Sequence, residues 1–277
     1  MKKWLLVAIL AVVMVCTAQA QENYTQFKSQ INGYYHNIVD SDVQNFSCLI
    51  TSAAYIDFID DHADSSFYYP LKITWLSDGS SYYALQPFPA LPDSIQRKMF
   101  AQAQALKNLW SYIFPDLNKF VFYEPLHEVP DNATLTTFGD TIGVAFRIEE
   151  KAREVKSKQT FTKGGMLGRV IWFFNERKEV YYPTYKEVNK KWLCLGWDGQ
   201  VLTNNEVSSG LRTKIIYFRQ NERFLPEQIN LFVQTRTESG DIQTIPRVLF
   251  LKDYEFNQNV QVITAKGDSA AAAQEQP

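Results

Sequence analysis

A short acidic segment at residues 60–64, with the sequence DDHAD, carries the side chains best suited to a divalent cation. Its aspartates offer hard oxygen ligands and His62 offers an imidazole, but the spacing of an EF-hand loop is absent. A solvated acidic loop is therefore the favoured interpretation. His127-Glu128 lacks the second histidine of a zinc-protease helix, and the three histidines fall in different segments, so no metal site is predicted.

Three glycines in the segment TKGGMLGRV could be taken for a nucleotide-binding loop. Gly164, Gly165 and Gly168 are spaced G-G-x-x-G rather than G-x-G-x-x-G, and a strand pattern rather than a helix follows them. No helix N-terminus is then available to hold a phosphate. The glycines predict a turn or a bulge, and the sequence predicts no cofactor.

Hydrolytic chemistry has no recognisable motif in this chain. Gly-x-Ser-x-Gly does not occur, and Ser80 and Ser81 fall in a hairpin rather than on a strand-to-helix elbow. The paired carboxylates of a glycosidase come from separated positions, so a secreted hydrolase with dispersed carboxylates stays open as an alternative. No residue is predicted to be catalytic, and the leading hypothesis is a protein that is not an enzyme.

The first twenty residues predict export from the cytoplasm. Lys2 and Lys3 precede an apolar run over residues 4–15, and Ala18-Gln19-Ala20 completes the pattern of a secretory signal peptide cleaved after Ala20. A periplasmic or secreted location follows. The apolar run is shorter than the roughly 20 residues of a membrane-spanning helix, and no later stretch reaches that length, so no integral membrane span is predicted.

The charge and length of the chain narrow its class. A formal net charge of −2 over 277 residues, with both signs interspersed, gives no electrostatic footprint for nucleic acid. The length suits one domain over residues 21–264. Residues 265–277 contain a run of alanines and no aromatic residue, and they are predicted to be a disordered tail.

The elements that would position a site are mostly strands. Residues 42–58, DVQNFSCLITSAAYIDF, show alternating apolar residues and predict one long β-strand. Helical spacing predicts amphipathic helices at residues 22–39 and 94–114, the second within a helical insertion at about 87–119. Further strand patterns lie at residues 67–76, 81–86, 120–123, 134–138, 141–149, 153–162, 170–175, 179–185, 191–197, 211–219, 228–237 and 242–256.

Turn signals separate several of these strands and favour antiparallel pairing. Ser77-Asp78-Gly79-Ser80 predicts a tight turn, Asp198-Gly199 predicts another, and a hairpin is predicted around Leu225-Pro226. The whole pattern predicts a large antiparallel sheet wrapped around an apolar interior.

Cys48 and Cys194 remain after removal of the leader. In an oxidising compartment they could form a disulfide that closes a long loop, worth about 4 kcal/mol by loop-closure entropy. Two buried free thiols are the alternative, and the sequence leaves both open.

Residues 170–174, VIWFF, are apolar on both faces of a strand. One face can pack on a helix. The other must then meet either a further packed layer or the lining of a cavity for an amphiphile, and both interpretations stay open.

The two ends of the chain resemble the LolA/LolB-like lipoprotein carrier superfamily, the outer-membrane lipoprotein-sorting proteins. The resemblance rests on the N-terminal amphipathic helix, the strand VQNFSCLITSAAYI, the hairpin LKITWLSDG and the closing segments LPEQINLFVQT and LFLKDYEFNQNV. It implies an α+β fold in which a curved antiparallel sheet forms an unclosed β-barrel with helices on its concave side. It also implies an apolar groove that receives lipid or the acyl chains of lipoproteins.

The leading hypothesis is therefore a periplasmic protein that binds or carries a lipid or an acylated lipoprotein without catalysis. An envelope assembly or adaptor protein, which binds a partner chain through an aromatic surface, is the alternative from another class. Six apolar residues are predicted to be among those that line the groove: Ile50, Leu71, Ile73, Trp75, Trp172 and Phe174.

Overall fold

The computed structural model describes residues 23–39, 42–150, 153–237 and 241–258. The predicted signal peptide and the predicted C-terminal tail lie outside these ranges. The first helix, α1, covers residues 23–32. The later helical elements are α2 (Ala53–Asp60), a 3-10 turn (Ser65–Phe67), α3 (Asp93–Leu117) and a π-helical turn (Asn118–Phe122). The strands are β1 (Asn45–Ser52), β2 (Leu71–Leu76), β3 (Ser81–Leu85), β4 (Thr134–Phe138), β5 (Thr141–Glu150), β6 (Arg153–Thr162), β7 (Leu167–Phe173), β8 (Arg177–Val188), β9 (Lys191–Thr203), β10 (Glu206–Gln220), β11 (Arg223–Arg236) and β12 (Ile242–Phe256).

The twelve strands form one antiparallel sheet that does not close into a barrel. Strands β4 to β12 pair in chain order, β12 then pairs with β1, and β2 and β3 complete the sheet. The edges are β3 and β4, which are consecutive in the chain, and the segment that joins them contains α3. The second half of α3 packs into the main apolar core of the sheet, and the predicted α+β fold with an unclosed antiparallel sheet is confirmed.

The inner face of the sheet is set by the register of β1 and β2. Phe46 lies opposite Trp75, and Ile50 lies opposite Leu71. These four side chains are buried in the main apolar core, which matches the face predicted from alternation.

The predicted long strand over residues 42–58 is wrong in its second half. β1 ends at Ser52, whose side-chain oxygen accepts a hydrogen bond from the Tyr55 amide at 3.2 Å and caps α2. Tyr55 and Ile59 are the buried residues of α2, and their spacing of four is that of a helix. The apolar residues at positions 54, 56 and 58 imitate strand alternation, although α2 does not bury them.

The N-terminal helix is shorter than the predicted span of residues 22–39. After Gly33 the chain leaves the helix and runs beside β9, where the Trp192 amide donates to the Tyr34 carbonyl at 2.7 Å. The His36 amide in turn donates to the Trp192 carbonyl at 2.9 Å. Ile38 is still buried, so the apolar spacing continues although the helix does not.

The second predicted helix is confirmed as α3, which continues through Pro115. Its first half packs Met99 and Ala103 against α2, whereas its second half packs Trp110 and Leu117 into the main core. The strand predicted at residues 120–123 is wrong. The chain forms the π-helical turn there, and successive apolar residues are buried instead of every second one. None of the helices in the described ranges is long and apolar enough to cross a membrane.

The turn predicted at the glycine-rich segment is confirmed. Gly165 has a φ of +80°, and an added Cβ there would lie 2.6 Å from Tyr34 Cδ2. The Tyr35 hydroxyl donates to the Gly165 carbonyl at 2.6 Å and accepts from the Leu167 amide at 2.7 Å. Glycine is needed both for this backbone conformation and for the close approach of the N-terminal segment.

Two other predicted turns are wrong. Asp198-Gly199 lies inside β9, where Asp198 accepts a hydrogen bond from Arg212 Nε of β10 at 2.6 Å, and Leu225-Pro226 lies inside β11. The first turn lies further along the chain than predicted and the second lies before the predicted position. Each is a pair of residues with positive φ. These pairs are Asn204-Asn205 between β9 and β10 and Asn221-Glu222 between β10 and β11.

A bulge in β9 forces a close backbone contact at Gly196. The pairing of β9 with β8 shifts at this point, and Gly196 has a φ of +139°. An added Cβ would lie 2.0 Å from the Thr213 carbonyl oxygen of β10. No side chain fits there without moving one of the two strands.

Gly196→Ala should therefore lower the free energy of unfolding by at least about 2 kcal/mol, because strain and a backbone clash add. Urea denaturation followed by tryptophan fluorescence measures this. Gly168→Ala in β7 is the control, since its Cβ would make only an ordinary 3.7 Å contact with the Thr160 carbonyl. Equal urea midpoints for the two variants would contradict the strain at Gly196.

Candidate functional site

Four of the six predicted lining residues lie in the filled core. Ile50, Leu71, Ile73 and Trp75 are at most 1% exposed and belong to the main apolar cluster. The sheet face that these four residues share is covered by packed side chains.

Trp75 shows how the cover is built. Its ring stacks on Phe46 with 5.3 Å between ring centres and lies 5.5 Å from the Tyr123 ring. Its indole Nε1 donates to Asn118 Oδ1 at 3.2 Å. Phe122 packs edge-on against Phe46 at 5.3 Å. The π-helical turn and the residue after it therefore close the inner face above β1 and β2.

The other two predicted residues lie elsewhere. Trp172 is half-buried on β7 and packs edge-on against Phe146 of β5, with 5.6 Å between ring centres. Phe174 lies just after β7, where the Arg177 guanidinium is 4.8 Å from its ring centre. The structure thus separates the six residues into a core group, one residue at a cavity and one at a hairpin end.

A small cavity of about 30 Å³, which opens to solvent, lies beside Trp172. It is enclosed between the inner face of β5 to β7 and the segment of residues 118–129. Its lining combines apolar and polar side chains. The residues are Asn118, Lys119, Tyr123, Glu124, Pro125, His127, Glu128, Val129, Phe146, Ile148, Gln159 and Trp172.

The strand side of this cavity follows from the register of β5, β6 and β7. Ser157 of β6 lies opposite both Phe146 and Trp172, and Gln159 is the next inner residue along β6. Phe146, Gln159 and Trp172 are therefore close neighbours on one face of the sheet.

The opposite side of the cavity is held near both of its ends. Asn118 Nδ2 donates to the Gly79 carbonyl at 3.3 Å, and the Tyr123 hydroxyl donates to the Ser77 carbonyl at 3.3 Å. At the far end Lys28 Nζ donates to the Val129 carbonyl at 2.8 Å. The segment is thus tied to the β2–β3 hairpin and to α1.

The π-helical turn begins where a proline has loosened α3. Pro115 has no amide hydrogen, and the Asn118 amide reaches both the Phe114 and the Pro115 carbonyl oxygens. π-Helical turns are rare and are frequent at functional sites. Here the turn places Lys119 over the sheet rather than in solvent.

Lys119 forms a largely buried ion pair with Asp116. Its Nζ lies 3.7 Å from Asp116 Oδ1, and the two side chains are 17% and 11% exposed. The same ammonium lies 5.1 Å from the Trp172 ring centre and 4.7 Å from the Tyr181 ring centre, within the range of cation–π attraction. Burial raises the pKa of Asp116 to about 6, and the Lys119 charge only partly offsets this effect.

Two buried polar atoms at the cavity have no hydrogen-bond partner. They are Gln159 Oε1 and Trp172 Nε1. Gln159 Nε2 donates to the Pro125 carbonyl at 3.2 Å, and a carbonyl can only accept, so this contact fixes which end of the amide is left over. One unpaired acceptor and one unpaired donor thus lie in the wall of the same cavity.

The cysteines occupy separate strands as free thiols. Cys48 lies in β1 and Cys194 in β9, and both are buried and unbonded. Burial raises the pKa of each thiol to about 12. Of the two alternatives that the sequence left open, the structure has the free thiols.

The acidic segment at residues 60–64 does not gather into a site. Asp60 accepts a hydrogen bond from the Tyr68 hydroxyl, and Asp64 caps the 3-10 turn by accepting from the Ser66 amide at 2.9 Å. Within the described ranges, no group of three or more histidine, cysteine or acidic side chains could hold a metal ion.

Sequence reasoning missed Lys119, Gln159 and the pair with Asp116. The segment from residue 120 was predicted to be a strand, which placed Lys119 in a connection. Pro115 followed by a continuing apolar run was the one available signal of an irregular helix. Gln159 was the one uncharged amide among the polar residues of β6, but alternation alone could not assign it to the inner face.

Comparison with known protein families, with curated proteins and with solved structures gives no match to this chain.

The raised pKa of Asp116 predicts a specific pH dependence of stability. Between about pH 4 and 6 the folded protein binds a proton that the unfolded chain does not, so the free energy of unfolding rises as the pH falls. Asp116→Asn should lower the gain in free energy of unfolding between pH 7 and pH 5 by about 1 kcal/mol relative to the wild type. Urea denaturation at the two pH values measures it.

The exposed Asp140 supplies the control for this measurement. Asp140→Asn should leave the difference between pH 7 and pH 5 as it is in the wild type, because this carboxylate is almost fully exposed. An Asp116→Asn variant with the same pH dependence as the wild type would show that the buried carboxylate keeps an ordinary pKa.

Proposed function

We propose that this protein binds and carries a lipid or an acylated lipoprotein without catalysis, in the periplasm or outside the cell. The observation that carries the proposal is the cavity between β5–β7 and residues 118–129. One of its walls is the apolar inner face of the sheet, with Phe146, Ile148 and Trp172. The other wall is the π-helical turn and the segment that follows it, up to residue 129. An alkyl chain placed there would continue the packing of the core.

The size of the cavity limits what enters without rearrangement. Its volume of about 30 Å³ holds roughly two water molecules, whereas pockets for small molecules span roughly 300–1,000 Å³. An alkyl chain therefore enters only if the cavity widens, and one chain needs less widening than a lipid with several chains. Larger ligands require the cover of the sheet to move.

The energetics favour local widening over removal of the whole cover. Lifting the second half of α3 would expose Trp110, Ile113 and Leu117 together with Phe122, each worth about 1.5–3 kcal/mol. A ten-carbon chain supplies about 8 kcal/mol at roughly 0.8 kcal/mol per methylene. The free energy lost by exposing these four side chains is similar to the free energy gained by burying the ten-carbon chain. A single chain therefore gains most when α3 stays on the sheet.

The path of the chain between β3 and β4 also indicates that α3 stays on the sheet. The segment with α3 starts from one edge of the sheet at β3 and ends at the other edge at β4. Because both of its ends continue into edge strands, it can shift over the inner face but cannot swing away from it. Entry beside Trp172 is the arrangement that this constraint favours.

Trp172→Gln should weaken binding of the apolar dye 1-N-phenylnaphthylamine about tenfold, because the cavity loses a large apolar wall. Dye fluorescence titrated against the protein gives the dissociation constant. Phe173→Gln is the matched control, since Phe173 is the next residue of β7, is 41% exposed and does not line the cavity. Equal loss in both variants, or no dye binding by the wild type, would contradict the proposed site.

The adaptor alternative has one observation in its favour. The edge strands β3 and β4 carry exposed large apolar residues, among them Leu85 at 47% and Phe138 at 60% exposure. An exposed edge can pair with a strand of another chain. Native mass spectrometry of protein purified from its own envelope separates the two functions. A co-purifying lipid supports the carrier, and a stoichiometric protein lost on Phe138→Lys supports the adaptor.

A further inference from the structure

We infer that the cavity beside Trp172 recognises the polar end of the ligand, and that this end is a neutral group able both to donate and to accept a hydrogen bond, such as an amide or a hydroxyl. The inference rests on the proposed function and goes further by naming the chemistry of the ligand's polar group.

The first argument is the pair of unpaired atoms. Gln159 Oε1 can only accept, and Trp172 Nε1 can only donate. Both atoms are buried, and both residues line the cavity on neighbouring strands. A buried polar atom without a partner is costly, so a ligand group that reaches both atoms as the cavity widens gains more than its apolar burial alone supplies.

The orientation of the Gln159 amide is fixed by its other contact. Its Nε2 donates to the Pro125 carbonyl at 3.2 Å, which cannot accept from the oxygen end. The free end of the side chain is therefore an acceptor. An ester or ether group of a ligand has no hydrogen to offer it, whereas an amide or a hydroxyl has one.

The charges around the cavity disfavour an ionic ligand group. Lys119 is the one lysine or arginine of the lining, and its ammonium is already paired with Asp116 at 3.7 Å. Glu124 and Glu128 line the same cavity, so a carboxylate or a phosphate would meet two like charges. An ammonium can donate to Gln159 Oε1 but cannot accept from Trp172 Nε1, so it satisfies only one of the two unpaired atoms. A neutral group avoids both costs.

The selectivity of the wild-type protein tests this directly. Decanamide and methyl decanoate carry chains of the same length and are both neutral, but only the amide donates a hydrogen bond. Each is titrated below its solubility limit into protein that holds 1-N-phenylnaphthylamine, together with decanoate and decyl phosphate. Decanamide should displace the dye at a concentration about tenfold lower than methyl decanoate, and the two anions should be weaker still.

Two substitutions assign the selectivity to its atoms. Gln159→Met removes the acceptor at similar volume, and Trp172→Phe removes the N–H while an aromatic ring remains. Each should reduce the preference for decanamide to below about threefold. The preference is the ratio of the two displacing concentrations in the same variant, so a change in dye affinity cancels. Gln228→Met on β11 is the control, because Gln228 does not line the cavity. Urea midpoints verify that all three variants are folded.

The outcomes separate this inference from the proposed function. Equal displacement by decanamide and methyl decanoate in the wild type, or a preference that survives both Gln159→Met and Trp172→Phe, overturns the inference and leaves apolar binding intact. A failure of the wild type to bind either the dye or any decyl compound overturns the proposed function and the inference together.

Discussion

An antiparallel sheet with two open edges cannot bury its own apolar face, so something other than a strand has to cover it. In this protein the cover is formed by the chain between the two edge strands, β3 and β4, together with α1 and the segment that follows it. Its attachment depends on the ring cluster around Trp75 and on the hydrogen bond from the Trp75 indole to Asn118. The positions of α3, the π-helical turn and the cavity follow from how this segment fits across the face.

The cover packs closely on β1 and β2 and less regularly on β5 to β7. Above β1 and β2 the ring of Phe46 packs against the rings of Trp75 and Phe122. Above β5 to β7 the cover carries charged and polar groups, among them Lys119 and Asp116, where an ordinary core would have aliphatic side chains. This difference is why we place the binding function at the second half, although the sequence directed attention to the first.

The sequence predicted the sheet and its inner face well where alternation was strict and one-sided. The pairs Phe46–Trp75 and Ile50–Leu71 lie on the face that alternation assigned to them. It failed where the apolar period was ambiguous, as in α2, whose capping Ser52 was the better guide. Turn positions were missed because asparagine can take a positive φ without glycine, as Asn204 and Asn221 do.

The cavity could not be predicted from the sequence for a different reason. Its two walls come from residues 118–129 and from β5 to β7, and only the register of three strands brings Phe146, Gln159 and Trp172 together. Trp172 was predicted to line an apolar groove and does line a cavity, but the charged groups of this cavity lie in the π-helical turn and the residues after it. The run of apolar residues FVFY has the pattern of a strand, so the sequence did not predict that turn.

The order of the strands also sets the order of events as the chain acquires its structure. Strands β4 to β12 pair with their neighbours in sequence, so each pair closes only a short loop. β1 has to wait for β12, since Phe46 pairs with Phe256, roughly 200 residues further on. A nascent chain released early would hold β1, β2 and β3 without their neighbour, with Cys48 and the rings of Phe46 and Trp75 uncovered. We expect the last residues of β12 to decide whether a growing chain stays soluble or aggregates.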